Sequence, residues 1–390
     1  MQSAPEHVVI IGGGVAAHNC ARELRRQGFA GAVTMVSAEP HLPYDRTLLS
    51  KEFLEGLLDE EDLALSSAGE YADLGVELRL GVPVTGIDPA ARRVHLQDGS
   101  ELAYDRAVIA TGGAARRPGL LTVDGTRTVR TLDDAKALGH SLAELNHLLI
   151  VGAGFVGGEI AATATALGTR VTLIEALPTP MAGVLGNEVG EQLAELHREA
   201  GVEMLAGTAA TGVREGSGRI EVTTADGSTL VGDALVVGAG MLPNLAWLRG
   251  SGVEVDGGVI TDELCQTNVP GVLAAGDCAR WWNPRYEQWM QVEHWDTAGR
   301  HGAAAARSAL GRGEGFDPVP FFWSNLRGTR LQSVGNLAAW DEVQLAGSSP
   351  HSFVARYFRN ERMVAAFAAG NAGAIRTAKR DLEEEVEAPA

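Results

Sequence analysis

Two runs of small residues in the 390-residue chain have the spacing of a phosphate cradle: Gly12-Gly13-Gly14-Val15-Ala16-Ala17 and Gly152-Ala153-Gly154-Phe155-Val156-Gly157. The first is a G-x-G-x-x-A pattern and the second the full G-x-G-x-x-G pattern. In such a turn the first glycine permits a tight bend and the second lets a pyrophosphate approach the backbone. The third small residue lets helix and strand pack closely, and the phosphates meet free N–H groups at the helix start. Glycines also mark ordinary strand-to-helix turns, so the acids downstream matter. Glu39 follows the run "AVTMVSA", and Glu175 closes "VTLI"; a carboxylate at either place can accept from ribose hydroxyls. Glu175 would also repel a 2′-phosphate, and Ala176 rather than an arginine follows it, which favours NADH over NADPH. Asp277 ends the run "GVLAAG". It could accept from a sugar-like hydroxyl at a strand's carboxyl end, cap a helix opened by "GDCAR", or do both. Two cations, Arg46 and Lys51, stand in "YDRTLLSK" within a chain of net charge −18. Taken alone they read as solvated surface groups.

The elements that must position these residues come as an approximate internal repeat. One copy runs from "HVVIIGGGVAA" through "AVTMVSAE" and the hairpin "VHLQDGSELAYD" to "RAVIATGG"; the other runs from "HLLIVGAGFVGGE" through "RVTLIE" and "IEVTTADGSTLVGD" to "ALVVGAG". Each reads as strand, glycine turn, helix, β-branched strand, Asp-Gly hairpin and closing strand. Strands alternating with helices imply parallel sheets with helical crossovers, and two copies imply two nucleotide-binding domains. A nicotinamide and a flavin form the natural pair, because hydride can pass between them. After a further strand near Gly271–Asp277 and a helical run ending near Gly311, "GEGFDPVP" reads as a linker. Beyond it the alternating runs "LQSVG", "EVQLAG", "FVARYF" and "MVAAFAA" suggest a small antiparallel sheet, and "EEEVEAPA" an acidic, frayed tail.

Composition narrows the class. Apolar residues make up 45% and mean hydropathy is near zero, as in a globular protein. The acidity argues against nucleic-acid or anionic-membrane binding. No 18-residue apolar run is present, and the N-terminus reaches the first strand too soon to leave room for a signal peptide. Cys20, Cys265 and Cys278 form neither a disulfide framework nor a metal spacing. These features read as a cytoplasmic protein with no metal.

The ordered series "VVIIGGG", "LPYDRTLLSK", "VIATGG", "LIVGAGFVGGEIA", "VTLIE", "GMLPN", "TNVPGVLAAGDCAR" and "FFWSN" resembles the FAD-dependent pyridine-nucleotide oxidoreductases. Within them it is similar to the NADH-dependent ferredoxin (or rubredoxin) reductases that serve cytochrome P450s and Rieske oxygenases. The resemblance implies an α/β fold of two Rossmann-like domains, for FAD and NAD, plus a small α+β C-terminal domain. The corresponding boundaries are 1–113 with 234–315 for FAD, 114–233 for NAD and 316–390 for the C-terminal domain. It implies FAD contacts at Gly12, Gly14, Val15, Ala16, Glu39, Arg46, Lys51, Val84, Ala110, Thr111, Gly112, Arg130, Gly276, Asp277, Glu293, His294, Trp295 and Trp323. NAD contacts fall at Gly152, Gly154, Phe155, Val156, Gly157, Glu159, Glu175, Gly238, Ala239 and Gly240. Lys51 resembles the family lysine that pairs with the glutamate of "GFVGGE", here Glu159, beside the reactive edge of the flavin.

The chain departs from the family at Ala38, where many relatives carry an aspartate, leaving the adenosine ribose to Glu39. Thr47 and Leu48 replace a usual Pro-Pro. No C-x4-C follows the first glycine turn, and no cysteine lies between Cys20 and Cys265. A thiol relay is therefore absent, and electrons must leave the flavin directly, singly to a small acidic [2Fe–2S] ferredoxin or to oxygen. Residues 321–380 hold eight basic side chains against three acids (Asp341, Glu342, Glu361), a contrast that suits an acidic carrier. The alternatives are a rubredoxin reductase, an NADH oxidase, or a redox-responsive interaction protein of the apoptosis-inducing-factor type.

Overall fold

The computed structural model describes residues 5–142, 144–216 and 218–384. The chain forms two compact units, each assembled from three segments: Met1–Asp45, Glu61–Ala114 and Leu242–Pro320 in one, and Arg46–Glu60, Ala115–Met241 and Phe321–Ala390 in the other.

In the first unit, strand His7–Ile11 lies at the centre of a five-stranded parallel sheet. Ala32–Val36 and then Val76–Arg79 lie on one side of it, and Arg106–Ile109 and then Val272–Ala274 on the other. Val8 and Ile10 enter one core cluster while Val9 and Ile11 enter another, so both faces of the sheet are covered. A continuous apolar strand, rather than an alternating one, is what such double burial selects. Helices Val15–Arg26 and Trp295–Ala309 cross very closely: a Cβ on Gly302 would stand 2.0 Å from the Ala16 carbonyl oxygen. The Asp-Gly hairpin joins Arg93–Leu96 to Glu101–Ala103, with Val84–Asp88 as third antiparallel strand. Asp277 does not open a helix: it leads into strand Ala279–Asn283, which pairs with Val259–Thr261 and Gln288–Met290. The helix-cap alternative for Asp277 therefore falls, because two aromatic-rich strands precede the helix that starts at Trp295.

The second unit repeats the plan. His147–Val151 is flanked in parallel by Arg170–Ile174 and Glu203–Leu205 on one side, and by Ala234–Val237 and Thr126–Arg127 on the other. Ala234–Val237, grouped with the FAD segments on sequence, pairs with His147–Val151 as Arg106–Ile109 pairs with His7–Ile11. Each copy keeps its own closing strand. The loop carrying Lys51, residues Arg46–Glu60, also belongs to this unit.

Five antiparallel strands follow in the order Phe321–Leu326, Thr329–Gly335, Arg362–Ala369, Ser352–Arg359, Glu342–Ser349. Alternate residues Leu326, Leu331, Phe353 and Phe367 share a core with Leu185, Val189 and Leu193 of helix Ala182–Glu199. That helix kinks at Gly186, φ +78°. A kink frees carbonyls that need donors, and two aromatics of the sheet supply them: Trp340 Nε1 donates to Val184 O at 2.9 Å and Tyr357 Oη to Leu185 O at 3.0 Å. Strand Phe321–Leu326 and helix Ala372–Glu384 complete this region and were not read from the sequence. Glu383 and Glu384 of the expected acidic tail are helical, and the remainder of it lies outside the described residues. Among the described residues no helix is long and apolar enough to cross a membrane.

Candidate active site

Both glycine turns close backbone on backbone. Gly12 has φ +134° and a Cβ there would come within 2.0 Å of Ala110 O; Gly152 has φ +100° and its Cβ would come within 2.3 Å of Gly238 O. At Gly14 and Gly154 an added Cβ would meet nothing within 4 Å. These two residues are the N-caps of helices Val15–Arg26 and Phe155–Ala166, and neither helix start is capped by a side chain. An uncapped helix N-terminus beneath an open glycine fits a pyrophosphate, since the first N–H groups and the helix dipole both point at it. The residues present in each turn thus suit a dinucleotide.

The loops around the turns are tied in place. Ala110 N–H donates to Ile11 O; Thr111 and Asn244 exchange hydrogen bonds at 3.1 Å, and Asn244 N–H donates to Gly112 O at 3.0 Å. In the second unit Gly238 N–H donates to Val151 O, and Arg116 N–H to Gly240 O, with Ala239 between them. Glu175 is tied to the second glycine turn and to the chain just after its strand: its carboxylate accepts from the N–H groups of Ala153 and Leu177, both at 2.8 Å. Glu39 accepts from the hydroxyl of buried Tyr44 at 2.6 Å, and its own N–H donates to Ser37 Oγ. Ala38 is exposed.

Gly276, φ +78°, packs where its Cβ would meet Ala16 Cβ at 2.9 Å, and its N–H donates to His301 Nδ1. Asp277, half-buried, accepts from Gln291 Nε2 through its carbonyl. Glu293 and His294 lead into the helix at Trp295. His294 is half-buried, and the desolvation of its ring lowers the imidazole pKa to about 4 against the opposing pull of Asp277. Val84 opens its strand opposite Leu96.

The densest polar cluster centres on Glu159, in the second turn of helix Phe155–Ala166 and 8% exposed. One carboxylate oxygen accepts from Lys51 Nζ at 3.0 Å and Ser324 Oγ at 2.5 Å; the other accepts from Ser50 Oγ at 2.5 Å. A buried carboxylate needs such partners. Three stretches distant in sequence converge here: the Lys51 loop, the glycine-turn helix and the first C-terminal strand. Thr163 Oγ1 donates to Ser50 O at 3.1 Å and anchors the loop from the same helix. Sequence reading found Lys51 and Glu159 but missed both serines, although Ser50 directly precedes Lys51 and Ser324 lies within "FFWSN". Strand alternation puts Trp323, stacked on Phe321, on the sheet face opposite Ser324. Phe155 packs at a tilt against Phe322, ring centroids 4.1 Å apart, and the neighbouring Val156 is exposed. Arg46 Nη1 donates to Arg130 O at 2.9 Å, and Arg130 N–H donates to Asp134. Of the residues expected to contact FAD, Arg46, Lys51, Arg130 and Trp323 lie in the second unit and the others in the first.

Cys20, Cys265 and Cys278 are unpaired and fully buried, and burial pushes each thiol pKa up. Protonated, enclosed thiols are poor nucleophiles and poor redox relays.

Residues 6–302 match the family model for the pyridine nucleotide-disulphide oxidoreductases and 321–390 the reductase C-terminal model. Rhodocoxin reductase of Rhodococcus erythropolis is 36% identical over 345 residues, covering 87% of this chain and 81% of that protein. Putidaredoxin reductase of Pseudomonas putida is 32% identical over 375 residues, covering 93% of this chain and 88% of its own. The crystal structure of a covalent putidaredoxin reductase–putidaredoxin complex superposes with a TM-score of 0.93 at 30% identity, covering 97% of this chain and 93% of that one. Two parallel-sheet nucleotide-binding modules, uncapped glycine turns and these likenesses lead to one assignment: the chain belongs to the pyridine nucleotide-disulphide oxidoreductases, enzymes that use FAD and NAD(H), and carries a reductase-type C-terminal domain.

Proposed function

We propose that this chain takes electrons from NADH and passes them singly to a small acidic [2Fe–2S] ferredoxin that feeds a cytochrome P450 or Rieske oxygenase. The observation that carries the reading is Glu159, buried and bonded at once to Lys51, Ser50 and Ser324, in a chain whose thiols are all buried. Bound FAD supplies the chemistry that accepts a hydride and releases electrons one at a time. The NAD-binding part is the second glycine turn with Glu175, and the FAD-binding part is centred on Gly12, Gly14, Glu39 and Asp277. Lys51 places a fixed positive charge where negative charge builds during hydride transfer. Glu159 aims that charge, and the two serines hold the carboxylate in one orientation. Unpaired cysteines and an NADH requirement support a reducing, cytoplasmic setting.

Rapid mixing with NADH tests the pair. Lys51→Met slows flavin reduction about 100-fold with little change in NADH affinity, the pattern of an interaction made in the transition state. Glu159→Gln impairs the same step, and the two losses do not add. Reduction at the unmodified rate in both variants overturns the catalytic role. Comparing NADH-driven reduction of [2Fe–2S] ferredoxins, rubredoxin and oxygen decides the acceptor.

The C-terminal sheet supports docking of an acidic carrier. Arg330 and Arg356 lie on one face, the one opposite Ser324, while Lys379 and Arg380 are matched by acids of their own helix. Screening at physiological salt confines surface charge effects to about 8 Å. Ferredoxin reduction therefore falls steeply with added salt, whereas reduction of a neutral quinone changes little. Charge reversal at Arg327, Arg330 or Arg359 raises the ferredoxin KM and leaves flavin reduction by NADH alone. Salt-independent ferredoxin turnover places the docking surface elsewhere.

A further inference from the structure

Beside Glu159, on the flank toward helix Ala182–Glu199, lies a half-open cavity of about 20 Å³, one side of it Ala153, Gly154 and Phe155 of the second glycine turn. Its polar lining is Glu159, Ser324 and His197, and its apolar walls include Leu193, Leu326 and Leu331. A space of ~10–15 Å³ by the same kind of measure holds one water, provided two to four polar groups receive it.

Two groups here have unused capacity. His197 is 3% exposed and its Nδ1 is buried without a hydrogen-bond partner. A buried polar atom in this condition costs about 1–3 kcal/mol unless something meets it. Glu159, with about four acceptor positions on an ionised carboxylate, has three protein donors: two on the oxygen that faces Lys51 and Ser324, and one, from Ser50, on the other. The fold also makes room for the imidazole. A Cβ at Gly158 would fall 2.9 Å from His197 Cε1 and 3.0 Å from Nε2, so the third glycine of "GFVGGE" is what lets the ring lie against the helix one residue before Glu159.

We propose that this cavity binds a single structural water bridging His197 Nδ1 to the Glu159–Ser324 cluster, and that His197 is thereby a positioning residue for Glu159. Burial lowers the His197 pKa to about 4, so at neutral pH the ring is uncharged and its Nδ1 can give or take a hydrogen bond, whichever the water requires. No step of hydride transfer passes through it. The water completes the set of hydrogen bonds around the carboxylate and resists its rotation away from Lys51.

The kinetic part of this inference rests on the proposed reductase function; the water site does not. A crystal structure of the holoenzyme at high resolution should show density within hydrogen-bond distance of His197 Nδ1 and of Glu159 or Ser324 Oγ. A dry cavity, or a water bonded to neither partner, overturns the proposal. In rapid mixing with NADH, His197→Leu should slow flavin reduction about 10-fold, the low end of what loss of an orienting hydrogen-bond partner costs at metal centres, with NADH affinity and bound FAD unchanged. His197→Asn keeps a polar group in the place of Nδ1 and should restore most of the rate. A histidine that only fills space would give equal losses in both variants, and that result, or the unmodified rate in both, refutes the positioning role. If the unmodified holoenzyme does not reduce its flavin with NADH, the functional reading fails, and the density still decides the water.

Discussion

The two glycine turns share a backbone and differ in what they bind with. Gly12 N–H donates to Val36 O, and Gly152 N–H donates to Ile174 O, so the next residue on each strand is equivalent: Ser37 in the first copy, Glu175 in the second. Glu175 thus stands at the strand end, fixed by the Ala153 N–H of its glycine turn and by the Leu177 N–H just beyond the strand. In the first copy that place holds a serine lodged under Gly13, where a Cβ would come 2.6 Å from Ser37 Oγ. The acid comes two residues later and is held by Tyr44. On the function proposed above, one turn reads a ribose through the strand end, while the other reaches its ribose through a loop. A cofactor that visits needs a preset, rigid reader; a cofactor that stays can be held by several looser contacts.

The third small residue separates the copies further and gives the largest expected effect. A Cβ on Gly157 would stand 2.0 Å from the Gly152 carbonyl oxygen, while the first copy already carries a Cβ at Ala17, buried without conflict. Gly157→Ala should therefore destabilise the second unit by about 3 kcal/mol, as overpacking against backbone does, and raise the NADH KM at least 10-fold. Ala17→Gly should cost only the helix penalty of about 1 kcal/mol. Denaturant melts and NADH titrations of the two variants measure the contrast. Equal losses would mean that the turns are interchangeable.

Next in size is the nucleotide preference. Glu175→Ala removes the proposed ribose acceptor together with its hydrogen bonds to the glycine turn at Ala153 and to Leu177. Charged hydrogen bonds are worth about 1.5–3 kcal/mol, so kcat/KM for NADH should fall 10- to 100-fold while that for NADPH falls much less; Glu175→Arg should narrow the gap further. Comparable efficiency with NADPH in the unmodified protein would show that Glu175 does not read the ribose.

Much of this was legible in sequence because it is local. The glycine turns, the double-sided strands and the Asp-Gly hairpins declare themselves within a dozen residues, and Lys51 and Glu159 lie inside motifs. What stayed hidden depends on contacts distant in sequence. Ser324 is one of many serines until strand alternation turns it to the face that carries Leu326 and meets Glu159, and Trp323 beside it to the other. Gly186 looks like any helical glycine until Trp340 and Tyr357 arrive as donors to the carbonyls it frees. His197 carries no motif; only the missing side chain at Gly158 hints that something large lies against that helix. The repeat already tied Ala234–Val237 to the strand at His147, and the pairing of the two strands agrees with it.

The smallest expected effect sharpens the comparison most. If the first copy holds its dinucleotide through many contacts, then Glu39 is one acceptor among several, and its loss should be mild. Glu39→Gln keeps the shape and one acceptor oxygen but removes the charge, so FAD should dissociate only about 3-fold faster, the weight of a modest hydrogen bond. Tyr44→Phe should act in the same direction, because the Tyr44 hydroxyl holds the carboxylate at 2.6 Å. The double variant should lose little more than the worse single one, since both changes act through one side chain. Flavin release followed by fluorescence in mild denaturant gives all three rates. A loss of FAD in Glu39→Gln as severe as the loss of NADH affinity in Glu175→Ala would overturn the distinction, and would make Glu39 as firm a ribose reader as its counterpart despite its different place in the fold.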